Sequence, residues 1–231
     1  MMNLGGDERI YPASMTKIMT ALLTIENLPD LNETITVPED IFEELTAQDA
    51  SVAGFNPYEQ PTVRDLLYGV LLPSGADACE TLARAVGGSE EGFVAMMNQK
   101  AEELGLTNTH FENCTGLHND NHYSTCRDIA VLMSECLKSD TFREIVTREV
   151  YTTEATASHP EGITLYDTML HRFTSYEMST TLENGAVIEG GKTGFTDEAG
   201  QCLVSFAEYG GEEYILCLLY TSDAADDLTR V

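Results

Sequence analysis

The stretch GAVIEGGKTGFTDEAGQCLVSFAEYGGEEYILCLLY, Gly185–Tyr220, contains three short β-type runs, GAVIEGGKTGF, GQCLVSFAEYG and EEYILCLLY, with glycine-rich turns between them. Runs of this length joined by such short turns pair with their sequence neighbours, so they predict an antiparallel meander. Before Val150 the pattern is helical, and the contrast predicts an α+β chain, sandwich-like, in which a helical lobe comes first and the sheet last.

Upstream, Pro12 opens ASMTKIMTALLTIEN, where Met15, Ile18, Met19, Leu22, Leu23 and Ile25 cover much of one side of a helix. PYEQPTVRDLLYGVLL, Pro57–Leu72, predicts a turn and a short helix, and ADACETLARAV resumes helix until Gly87 and Gly88 stop it. The polar break between those two helices is LLPSGADACE, Leu71–Glu80. Ser89 is the expected N-cap of the next helix, whose Phe93, Met96, Met97, Ala101 and Leu104 keep helical spacing up to Gly105. TNTHFENCTGLHNDNHYS reads as loop, and from Thr125 a further helix buries Ile129, Leu132, Met133, Cys136 and Leu137. The expected sheet also packs against the helix that carries Ser14.

At 231 residues the chain has room for one sizeable core. A net charge of -27 argues against binding nucleic acid or anionic membrane through general electrostatics. No run approaches the roughly 18 apolar residues of a membrane span. MMNLGGDERI has neither a basic start nor the apolar core of an export signal, so the chain is cytosolic or lacks its beginning. Six cysteines at 79, 114, 126, 136, 202 and 217 show no zinc-like grouping and read as small buried hydrophobes rather than disulfides. His118 and His122 flank NDN in the loop, and no metal site is expected there.

Only four lysines exist, so two inside polar motifs stand out. In YPASMTK, Ser14 and Lys17 are three apart at a helix start, within reach of each other on one face. A serine hydroxyl becomes a good nucleophile when a neighbour takes its proton, and a lysine can do so only when neutral. Its pKa must then fall by about 3 units from the reference, through burial and a second cation nearby. Lys192 in GGKTGF is the expected second cation, and with Thr193 it offers a charge and a hydroxyl to a carboxylate. The glycines around it, including Gly194, let a strand edge approach a substrate closely, and K-T-G is expected to end a strand. Backbone N–H groups at the Ser14 helix start suit a developing oxyanion. Each motif alone is weak; S-x-x-K opening a buried helix, Ser74 at an inter-helix kink and K-T-G in a late strand together suit acyl transfer.

This set, with RIYPASMTKIMTALL, TVRDLLYGVLLPSGADA, FVAMMNQKAEELGLTNTHFEN, GLHNDNHYST and GGKTGFTDEAGQCLVSFA in order, resembles the penicillin-binding-protein type of D-alanyl-D-alanine carboxypeptidase, serine peptidase family S11, over most of residues 9–207. The resemblance implies a β-lactamase/transpeptidase-like fold and a bacterial cell-wall enzyme acting outside the cytoplasmic membrane on the D-Ala-D-Ala end of peptidoglycan stem peptides, with no cofactor. It implies that Ser14 attacks the carbonyl of the penultimate D-alanine, with Lys17 as base and Ser74 relaying the proton to the leaving amine. Lys192 and Thr193 would hold the terminal carboxylate, the backbone N–H groups of Ser14 and Phe195 would form the oxyanion hole, and β-lactams would acylate Ser14.

The third position of S-x-N, an asparagine in the family pattern, is Ala76 here. Losing one oriented hydrogen bond costs about 1–3 kcal/mol, so the chemistry is expected to be weakened or re-tuned. Asp77 reads as a helix-start acid. A class A-like β-lactamase would need a deacylating carboxylate, and no E-x-x-x-N stretch follows Ser74; Glu102, Glu103 and Glu112 read as solvated. A non-catalytic penicillin-binding or sensor domain is the other alternative, favoured by Ala76. The family pattern places two strands and an export signal before the serine motif, and in many members a second domain and a membrane anchor after the last strand. Residues 1–216 are therefore expected to be a catalytic domain incomplete at both ends, with EEYILCLLY as an exposed edge. CLLYTSDAADD, Cys217–Asp227, resembles a translated frame of a sequencing-library transposon adaptor, so residues 217–231 are expected to be an adaptor-derived tail on a metagenomic fragment.

Overall fold

A computed structural model describes residues 4–220. Pro12 does not open a regular helix directly. Ala13–Thr16 makes one 3-10 turn, because Ala13 sits at φ 46 in the left-handed region, and helix α1 (Lys17–Asn27) continues from it. Met15, Ile18 and Met19 have no exposed surface. They make α1 the centre of the helical lobe, in contact with α3 (Val63–Leu71), α4 (Ala76–Gly87), α5 (Glu90–Glu103), α6 (Cys126–Cys136) and α7 (Asp140–Val146).

The helix ends follow local chemistry. Thr62 and Asp65 form a capping box at the start of α3, and the Ser89 hydroxyl accepts from Gly92 N–H at 3.1 Å to open α5. Thr125 Oγ1 accepts from Asp128 N–H at 3.1 Å at the start of α6. Gly88, at φ 75, ends α4 in the left-handed conformation that favours glycine. The short helices α2 (Ile41–Ala47) and α7 and the β1–β2 hairpin (Val150–Thr152, Thr164–Tyr166) were not legible as elements, since segments this short carry too little periodicity. A six-residue helix, α8 (Leu170–Ser175), precedes the main sheet.

That sheet is the expected meander: β3 (Val187–Thr196), β4 (Gly200–Tyr209) and β5 (Glu212–Tyr220), antiparallel in the order β3-β4-β5. Lys192 pairs with Val204, and Val204 with Cys217. One face, with buried Cys202, Val204 and Phe206, packs towards the Ala13–Thr16 turn, α6 and α7. K-T-G does not end the strand as expected: pairing runs on to Thr196–Gly200, so Lys192–Gly194 lie inside β3, on an edge of the sheet. β5 is the other edge, where Tyr214 and Leu216 are exposed, as anticipated.

All six cysteines are unpaired, with Cys79, Cys114, Cys136 and Cys202 buried among apolar neighbours. Among the described residues no helix is long and apolar enough to cross a membrane. Of the segment expected to derive from an adaptor, Cys217–Tyr220 complete β5, and residues 221–231 lie outside the described residues.

Candidate active site

Ser14 is half-buried in the 3-10 turn, directly after the strained Ala13. A non-glycine residue in the left-handed region costs about 1–3 kcal/mol and persists only where its surroundings hold it. Here the surroundings do so from two sides. A Cβ on Gly116 would stand 1.9 Å from the Ala13 carbonyl oxygen, and one on Gly194 would stand 3.0 Å from the Ser14 nitrogen. Two glycines thus let a loop and an edge strand close around the serine backbone.

Three residues on, Lys17 is buried with its Nζ 3.2 Å from Ser14 Oγ and 2.6 Å from the Thr115 carbonyl oxygen. Burial pulls its pKa below the ordinary lysine value, against the opposing pull of Cys79, Cys114, Asp77 and Glu80. The carbonyl comes from a loop shaped by Asn113, whose Oδ1 accepts from the backbone of Thr115 at 3.2 Å and of Gly116 at 2.7 Å. Thr115 was missed by sequence reasoning because its contribution is a backbone atom. The local signal was Asn-x-Thr-Gly, an Asx-turn pattern.

Ser74 occupies the break between α3 and α4 at φ 67. Gly75 N–H donates to the Gly69 carbonyl at 2.8 Å, and Ala76 N–H to the Ser51 carbonyl at 2.7 Å. Asp77 is more than the helix-start acid anticipated. It is fully buried and accepts backbone N–H bonds from Ala53 at 2.7 Å, Gly54 at 3.0 Å and Phe55 at 3.1 Å, tying the 53–55 loop to the kink. Ala76 offers only a buried methyl group where the family pattern has an amide.

From β3, buried Lys192 places Nζ 3.0 Å from Ser74 Oγ and 3.0 Å from the Thr193 carbonyl oxygen. Burial, then repulsion from Lys17, pulls the Lys192 pKa down to about 7, while Asp167 and Cys79 push it back up. The two lysines are therefore neighbours and burial is the larger cause at both, but the repulsion lowers Lys192 through Lys17 rather than Lys17 through Lys192, the reverse of the expected second-cation effect. Gly194 backs onto Ser14, and Phe195 is exposed beyond it. Ser14, Lys17, Ser74 and Lys192 are thus linked by hydrogen bonds in two pairs, and Thr193 and Gly194 flank them on the strand.

The histidines are engaged elsewhere. His122 is buried, and burial with His110, His118 and Lys17 nearby takes its pKa down to about 3, so the ring is neutral. Its Nδ1 accepts from Glu112 N–H at 3.1 Å, which leaves the proton on Nε2 to donate to Thr16 Oγ1 at 2.8 Å. His118 faces Asp120 and Glu198 instead. The grouping of potential metal ligands among the described residues, Glu80, Glu90 and Cys114, is spent internally: Cys114 donates its Sγ–H to Glu80 at 3.4 Å and its N–H to Glu90 at 3.2 Å. Glu102, Glu103 and Glu112 are exposed.

A hydroxyl beside a buried amine, a second hydroxyl beside a second amine, and a strand-borne threonine can together move a proton off a nucleophile, pass one to a leaving group and hold an anion. The family model of the D-alanyl-D-alanine carboxypeptidases, Peptidase S11, matches residues 1–222. The chain is 36% identical over 209 residues to the D-alanyl-D-alanine carboxypeptidase DacF of Bacillus subtilis, covering 90% of this chain and 50% of that protein. It is 36% identical over 217 residues to a D-alanyl-D-alanine carboxypeptidase of Streptomyces sp. K15, 90% of this chain and 72% of that one. The crystal structure of the Streptomyces K15 DD-transpeptidase superposes with a TM-score of 0.84 at 34% identity, over 99% of this chain and 88% of its own. The chain thus spans about half the length of the Bacillus relative and most of the Streptomyces one.

Proposed function

Because the chain belongs to the D-alanyl-D-alanine carboxypeptidase family, peptidase S11, we propose that it is the catalytic part of a serine-type D-Ala-D-Ala carboxypeptidase of bacterial cell-wall metabolism. Its substrate is the peptidoglycan stem peptide ending in D-Ala-D-Ala, outside the cytoplasmic membrane. In this reading an export signal carries the whole protein across the cytoplasmic membrane and an anchor of the family type holds it there. The observation that carries the reading is the Lys17 Nζ at 3.2 Å from Ser14 Oγ, in a buried setting that favours the neutral amine.

In the proposed reaction Lys17 takes the Ser14 proton as Oγ bonds to the carbonyl carbon of the penultimate D-alanine. The carbonyl oxygen becomes an oxyanion, received by the backbone N–H groups of Ser14 and Phe195. The C–N bond then breaks, Ser74 hands a proton to the departing amine, and Lys17 restores the Ser74 proton. Terminal D-alanine leaves, and water attacks the Ser14 ester to free the shortened peptide. Lys192 and Thr193 hold the terminal carboxylate, with Lys192 also orienting Ser74. A base of this kind contributes about 10²–10⁴ in rate. A β-lactam, which presents an acylating carbonyl and a carboxylate in the same relation, acylates Ser14 and inhibits.

The test is to incubate the protein with a fluorescent penicillin and, separately, with a D-Ala-D-Ala peptide. Label on Ser14 and release of free D-alanine support the carboxypeptidase. Rapid penicillin turnover would replace it with a β-lactamase, and absence of label with a non-catalytic domain.

A further inference from the structure

We propose that Thr168 is a positioning residue for recognition of the substrate's terminal carboxylate, its hydroxyl setting the direction of the Thr193 hydroxyl. The inference rests on the carboxypeptidase reading and extends it to a residue outside the three motifs.

Thr168 Oγ1 lies 2.6 Å from Thr193 Oγ1, a hydrogen bond at the short end of the range for two hydroxyls. Each hydroxyl has one proton, and a carboxylate can only accept. If Thr193 spends its proton on Thr168, it meets the substrate with lone pairs and repels it. If Thr168 donates to Thr193, the Thr193 proton is free to point at the carboxylate. An arriving carboxylate selects the second arrangement and polarises the chain of two O–H bonds in its own favour.

Such an effect needs Thr168 to be held still, and it is held on three sides. Its N–H donates to the Leu72 carbonyl at 3.2 Å, two residues before Ser74. Its neighbour Asp167 is buried and accepts from Met169 N–H at 2.9 Å and Leu170 N–H at 2.6 Å. Asp167 N–H in turn donates to the Glu149 carbonyl at 2.8 Å. The 167–170 segment therefore braces the Ser74 kink against β3, and Thr168, only half-buried, stands at the open end of the brace beside Thr193. The Asp167 charge also pushes the Lys192 pKa upward, which favours the cation a carboxylate needs.

The experiment compares wild type, Thr168→Val and Thr168→Ser on a peptide ending in D-Ala-D-Ala and on the same peptide with a C-terminal amide, reading kcat and KM for each. Acylation of Ser14 by a penicillin and by its methyl ester gives the same comparison without turnover. The expected result is that Val lowers the preference for free carboxylate over amide about ten- to a hundredfold, mainly through KM, and that Ser restores it. Thermal unfolding of the three proteins accompanies the kinetics. A Val variant that folds and keeps the wild-type preference, or that loses both substrates equally without rescue by Ser, overturns the role of Thr168. A wild type that releases neither D-alanine from the free-acid peptide nor D-alaninamide from the amide overturns the carboxypeptidase reading instead.

Discussion

At the scale of single residues, Lys17, Lys192 and Ala76 carry the clearest expectations. The two lysines share one cleft, so their protons leave in two steps that belong to the pair. The proposed reaction needs one proton on the pair, with Lys17 neutral to accept from Ser14 and Lys192 charged to face a carboxylate. Lys17 is lowered from its ordinary value, so kcat/KM rises as pH climbs through its titration. Burial and the Lys17 charge take Lys192 down to about 7, so loss of its charge contributes a fall in kcat/KM as pH rises through that value. Lys192→Arg keeps the cation at all working pH values and should remove the descending limb from the pH profile. A descending limb unchanged in that variant would assign it to another group. Ala76→Asn returns an amide to the kink and should speed acylation by a fluorescent penicillin about tenfold. An unchanged acylation rate would mean that the Thr115 carbonyl, 2.6 Å from Lys17 Nζ, already does the orienting work. The types and order of these residues were legible in the sequence. Thr115, Thr168 and His122 were not, because each acts through a partner roughly 25 to more than 100 positions away or through its backbone.

Elements bring these residues together, and the kink between α3 and α4 does most to shape the cleft. Ser74 holds a positive φ that isolated chains avoid, and Asp77 helps to sustain it from inside α4 by gripping the 53–55 backbone. Asp77→Ala leaves the N–H groups of Ala53, Gly54 and Phe55 without their acceptor, and the two buried ones, Ala53 and Phe55, cost about 1–3 kcal/mol each before relaxation. The expected outcome is a clear drop in Tm and a larger loss of acylation rate than the stability change alone explains. Asp77→Asn, which keeps one acceptor oxygen, should fall between the two. Equal acylation per folded molecule in all three proteins would reduce Asp77 to a purely structural cap. The sequence placed Asp77 correctly in the first turn of a helix, yet a loop more than 20 residues upstream decides what the carboxylate does. The K-T-G strand shows the same division: its β character was plain, but its length depended on how far pairing with β4 runs.

For the whole molecule, charge and the open sheet edge set behaviour. A net charge of -27 on 231 residues repels itself, so raising salt from about 10 mM to about 150 mM, which shortens the screening length from about 30 Å to about 8 Å, should raise Tm. The same salt lowers repulsion between copies and uncovers the β5 edge, where Leu216 and Tyr214 face solvent. Light scattering should therefore rise with salt, and Leu216→Lys should suppress that rise; scattering unaffected by the substitution would place self-association elsewhere. The sequence by itself determined the α+β order, the buried α1, the meander and the three motifs, because hydrophobic period, glycine turns and capping residues act over a few neighbouring positions. Only the tertiary structure decided that Lys17 leans on Thr115, that Lys192 reaches Ser74, that Asp77 holds a distant loop and that Thr168 meets Thr193. Those contacts join atoms far apart in the chain, and their distances are set by how helices and sheet pack, which no local pattern encodes.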